Sequence, residues 1–82
     1  MKLKGIKKTV SVLKNSSFAR IYVNTQTGNV FAVQYTDCNS YTQFDSPNIE
    51  HVCRFNCRFD NPTMKWVESE VNQRLYELGF EK

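Results

Sequence analysis

Two early runs of the chain, FARIYVN (residues 18–24) and NVFAVQYT (residues 29–36), are rich in β-branched and aromatic residues, which predicts a pair of strands. Between them TQTG supplies turn chemistry, and Gly28 suits a positive φ at the end of a hairpin loop. In the first strand Ala19, Ile21 and Val23 share one face, and Phe18, Arg20 and Tyr22 share the other. The second sets Val30 and Ala32 against Phe31, Val33 and Tyr35. Both of its faces are apolar, so it is expected in the middle of the sheet rather than at an edge.

Further on, NIEHVCRFNCRFD also alternates. Ile49, His51, Cys53, Phe55, Cys57 and Phe59 fall on one face of a strand. Glu50, Arg54, Asn56, Arg58 and Asp60 fall on the other, and Val52 is the exception. A helix competes, since Asp45, Ser46 and Pro47 offer a start. It would spread Phe55 and Phe59 away from Ile49 and Val52, so the strand is preferred. The polar stretch before it has room for a short strand at YTQF (residues 41–44), followed by a turn at DSPN.

The last element reads as a helix. DNP offers an Asp or Asn cap with Pro62 in the first turn, and Met64, Val67, Val71, Leu75 and Leu78 form one apolar stripe. Gly79 stands where a left-handed C-cap is wanted, with Phe80 able to fold back. At the other end Leu3, Ile6, Val10 and Leu13 fit a short basic helix within residues 2–14, although Gly5 and the β-branched Thr9, Val10 and Val12 weaken it. The expected fold is α+β: a small antiparallel sheet of three to four strands with the helices on one face, in the order α-β-β-(β)-β-α. One domain covers residues 1–82.

Length sharpens the picture. An 82-residue chain has room for one core and no deep cleft. No apolar run approaches the ~18 residues of a membrane span, so no membrane partner is expected. The lysine-interrupted N-terminal residues do not read as a signal peptide. Three cysteines, an odd number, fit a reduced, cytoplasmic chain better than a disulfide framework. The formal net charge of +3 conceals an asymmetry. Residues 1–36 hold Lys2, Lys4, Lys7, Lys8, Lys14 and Arg20 and no acidic residue, whereas residues 37–82 hold five basic and all eight acidic ones.

Candidate chemistry is sparse. HVCRFNC could supply His51, Cys53 and Cys57 as metal ligands with Cys38 as a fourth. On a strand, however, His51 and Cys57 stand ~20 Å apart, and C-x₃-C is not a common zinc spacing. Helical geometry would make Cys53 and Cys57 neighbours and keep zinc in play; on the strand both are small core residues. His51 and Cys53 would point the same way ~6.6 Å apart, too far for a direct nucleophile–base hydrogen bond. No spacing pairs two carboxylates, and Gly5, Gly28 and Gly79 are too dispersed to cradle a phosphate. The expectation is a protein with no catalytic residues, no cofactor and no metal.

Two binding functions remain. The α-β-β-β-α order resembles that of double-stranded-RNA-binding domains. That family carries a lysine cluster at the start of its last helix, where NPTMKWVESEV has Lys65 alone, followed by Glu68 and Glu70. The order is shared and the phosphate-binding chemistry is not. The favoured expectation is a non-enzymatic protein-binding module, an inhibitor or adaptor of a larger host protein or protein–nucleic-acid complex. Small phage and mobile-element inhibitors of host defence, such as anti-CRISPR proteins, share this size and architecture. An uncovered sheet face would present Phe18, Arg20, Tyr22, Arg54 and Arg58, the residue types enriched in interface hot spots. The alternative is nucleic-acid binding through Lys2, Lys4, Lys7, Lys8 and Lys14, with Tyr22, Tyr35 or Tyr41 stacking on bases. The protein is expected as a monomer or homodimer.

Overall fold

A computed structural model describes residues 2–34 and 46–80. Its elements are α1 (Ile6–Lys14), β1 (Phe18–Asn24), β2 (Val30–Gln34), β3 (Ile49–Asn56) and α2 (Met64–Glu77). The strands form one antiparallel sheet in the order β2-β1-β3. The expected α+β class and the α-β-β-β-α order are therefore present. The short strand anticipated at residues 41–44 lies outside the described residues.

The sheet order corrects one expectation: β1, not β2, is central. Ala19, Ile21 and Val23 of β1 are almost fully buried, and both neighbours pair with this strand. β2 is apolar on both sides for two separate reasons. Val30 faces the core, while Phe31 stacks on Tyr22 across the other face with ring centroids 5.5 Å apart. An edge strand can thus be two-sided when a cross-strand aromatic partner covers its second side.

Val10 and Leu13 of α1 and Val67, Val71 and Leu75 of α2 pack on the sheet face made by Ala19, Ile21, Val23, Val30 and Phe55. The apolar stripe of α2 is as expected along its middle, although Met64 at its start is half exposed. Its N-cap differs from expectation. Thr63 caps the helix, its hydroxyl accepting from the Trp66 N–H at 3.1 Å, and Pro62 lies before the cap. Its C-terminus is as read: Gly79 has φ +88°, and Gly79 and Phe80 donate to the carbonyls of Tyr76 and Leu75.

The N-terminal helix is shorter than residues 2–14, and Gly5 starts it rather than weakening it. Gly5 sits at φ +79°, where a Cβ would come within 2.7 Å of the Val30 carbonyl oxygen. This close approach lets Lys4 bridge to the hairpin: its N–H donates to the Gly28 carbonyl at 2.9 Å, and its carbonyl accepts from the Val30 N–H at 2.8 Å. The buried Thr9 ties the same corner, its hydroxyl lying 2.8 Å from the Gly5 carbonyl and 3.1 Å from that of Val30. Gly28 has the positive φ expected of it. Among the described residues no helix is long and apolar enough to cross a membrane.

Candidate functional site

The far face of the sheet is the surface the helices leave alone, and cross-strand register decides which side chains reach it. Arg20 lies directly opposite Arg54, Tyr22 opposite Phe31 on one side and His51 on the other, and Phe18 opposite Asn56. The irregularity of β3 between its pairings to Ile21 and Tyr22 is the physical reason for this set. Val52 is an extra residue there, a β-bulge that reverses the in–out order of the strand. Cys53 and Phe55 stay on the core side, while Ile49 and His51 move to the far side.

This bulge corrects the single apolar face expected for residues 49–59. The strand also ends at Asn56, so Cys57, Arg58 and Phe59 belong to a turn, and Phe59 is 83% exposed. The one violation of alternation, Val52, marked the bulge. The turn had its own signal in the polar Asn56 and Asp60 flanking those three residues.

The geometry also answers the HVCRFNC question in physical terms. His51 and Cys53 point to opposite sides of the sheet, so they form no nucleophile–base pair. Burial, reinforced by the charges of Glu70 and Asp60, pushes the Cys53 thiol up to about 12, which keeps it protonated and unreactive. Cys57 is exposed on the turn. Among the described residues no three His, Cys, Asp or Glu side chains converge on a common point; Cys38 lies outside them.

Of the predicted protein-binding residues, Phe18, Arg20, Tyr22 and Arg54 come to the far face, and Arg58 stands at its end on the turn. They are not equivalent. Phe18 is half exposed and Arg54 and Arg58 are exposed, whereas Tyr22 is only 7% exposed, with Phe31 stacked on one side and the edge of His51 on the other. Tyr22 is therefore the floor of this face. Partial burial first, then the charges of Arg20, Arg54 and Arg74, hold the His51 imidazole below its usual pKa. None of the strand residues on this face is acidic. Arg74 approaches from α2, its Nε donating to the His51 carbonyl at 3.0 Å, which satisfies a backbone acceptor on edge strand β3.

The alternative site is less concentrated. Lys7, Lys8 and Lys14 lie on the exposed side of α1, but Lys2 and Lys4 precede the helix. None of the five forms an ion pair among the described residues. Of the tyrosines proposed to stack on bases, Tyr22 is buried, and Tyr35 and Tyr41 lie outside the described residues.

Comparison with protein-family models, curated proteins and solved structures finds no match for this chain. The element order shared with double-stranded-RNA-binding domains therefore carries no further argument.

Proposed function

We propose that the protein is a non-enzymatic binding module that uses the far face of its sheet to hold an acidic surface of a larger protein. It would act there as an inhibitor or adaptor, in the manner of small phage or mobile-element inhibitors such as anti-CRISPR proteins. The observation that carries the reading is the exposure of Phe18 and Arg54 on one sheet face, with exposed Arg58 at its end. An arginine–aromatic surface is what interface hot spots are made of. The exposed thiol of Cys57 fits a reducing compartment, so the proposed location is cytoplasmic.

One observation favours a nucleic-acid reading as a second choice. Lys7 and Lys8 occupy the first turn of α1, which holds no acidic residue, so both sit against the helix dipole. A phosphate there would relieve that placement. Glu68, which shares a small cleft with Leu3 and Ile6 close to the same helix end, works against phosphate approach.

A fluorescence-anisotropy titration with short single-stranded DNA, duplex DNA and RNA, at low and at physiological salt, separates the readings. The far-face proposal predicts no micromolar binding at physiological salt. Salt-sensitive micromolar binding lost in a Lys7→Glu/Lys8→Glu variant would replace it with the nucleic-acid reading.

A further inference from the structure

At one end of the far face, Ser17, Phe18, Asn56, Cys57, Arg58 and Phe59 line an open cleft of about 380 Å³. Its wall is a turn wired by four hydrogen bonds. The Asn56 carbonyl accepts from the Phe59 and Asp60 N–H groups at 3.0 and 2.9 Å, and the Asn56 side chain accepts from the Arg58 N–H at 3.0 Å. The Asp60 carboxylate accepts from the Asn56 N–H at 2.9 Å. A fifth bond, from the Cys57 N–H to the Ser17 carbonyl, ties the turn to β1 at 3.1 Å.

None of these five hydrogen bonds uses the side chain of Arg58 or Phe59. A phenylalanine 83% exposed on a turn this well fixed has no packing role in the fold. It stands beside Phe18, itself 51% exposed, so the cleft is flanked by two aromatic rings held ready for contact. Arg58 is the charged member of the lining. Arg54 continues the positive charge along the same face, two residues from Asn56, which is ~6.6 Å along a strand.

From this charge complementarity we infer that the cleft is the anchoring pocket for an extended, acidic segment of a partner protein. One apolar side chain of that segment enters between Phe18 and Phe59. Carboxylates flanking it meet Arg58 on one side and, two residues along, Arg54 on the other. The inference rests on the protein-binding reading above and gives it a partner chemistry.

Cys57 provides the probe, because it lines the cleft and is exposed. Trypsin releases it in the peptide FNCR, apart from Cys38 and Cys53. The ligand tested is an acetylated, fluorescein-labelled peptide with one Phe between aspartates, against the same peptide with lysines for the aspartates. The acidic peptide is expected to bind, to slow iodoacetamide alkylation of Cys57 at saturation, and to lose about tenfold or more in affinity to Arg58→Glu. Phe59→Ala should weaken it comparably while leaving the circular-dichroism spectrum unchanged.

Equal binding of both peptides, or binding without protection of Cys57, overturns the inference. So does protection that depends on protein concentration together with a dimer in sedimentation, which would make a second copy the occupant. A partner protein whose capture survives Arg58→Glu and Phe59→Ala but fails with Arg54→Glu would overturn the cleft and leave the far-face reading standing. A partner that ignores Arg54→Glu as well would remove both.

Discussion

The two faces of one three-stranded sheet differ in what explains them. On the helix side, Ala19, Ile21, Val23 and Phe55 are no more than 2% exposed and wholly apolar, and burial alone accounts for every one. On the far side the same strands present Phe18, Arg20, His51 and Arg54, with Tyr22 beneath. Burial accounts neither for the exposed Arg54 nor for the half-exposed Phe18. One strand can be core and surface residue by residue, and β3 changes over between them at a single bulge.

Adjacent residues of β3 give the sharpest way to break that comparison. Phe55→Ala is expected to cost roughly 3–5 kcal/mol in chemical denaturation, because its buried ring has only a cavity to leave behind. Arg54→Ala, one residue away on the exposed side, should stay within about 0.5 kcal/mol. Similar costs for both would mean the two faces are not distinct. Gly5→Ala comes next, at about 1–3 kcal/mol, since it puts a Cβ at positive φ against the Val30 carbonyl and strains the corner where α1 meets the hairpin. Thr63→Ala removes the cap of α2 and should lower the urea midpoint by the equivalent of about 1 kcal/mol.

The smallest effect concerns pH. The folded state holds His51 below its ordinary pKa, so folding favours the neutral ring. Its contribution to stability is complete above the unfolded value of 6.5 and declines as pH falls below that value toward the folded pKa. Urea titrations at pH 7.5 and pH 5 should show a loss that is reduced in His51→Gln; an unchanged loss would assign it to other groups.

Much of this architecture was legible because local rules agreed with one another. The bounds of β1, the φ of Gly28 and the buried Val67, Val71 and Leu75 stripe all follow from period and turn chemistry. Misreadings arose where a tertiary partner overrode a local rule. Gly5 looked like a helix breaker because its close neighbour, the Val30 carbonyl, is distant in sequence. β2 looked central because the aromatic cover of its second side comes from Tyr22 on another strand. The strict alternation assumed across residues 49–59 hid both the bulge at Val52 and the turn after Asn56, and so placed Phe59 in the core instead of on the surface. Of the candidate site, the residue types were visible in the sequence; which of them are floor and which are contact needed the register.

The proposed functional contact is made by the far face and not by the lysine-bearing helix. Quantitative affinity capture from nuclease-treated lysate tests it most directly, comparing the wild-type protein with Phe18→Ser/Arg54→Glu and with Lys7→Glu/Lys8→Glu/Lys14→Glu. The account predicts a protein partner retained by the wild type and by the lysine variant and lost from the far-face variant, with all three equally folded. Retention that survives the far-face changes and disappears with the lysines would contradict it.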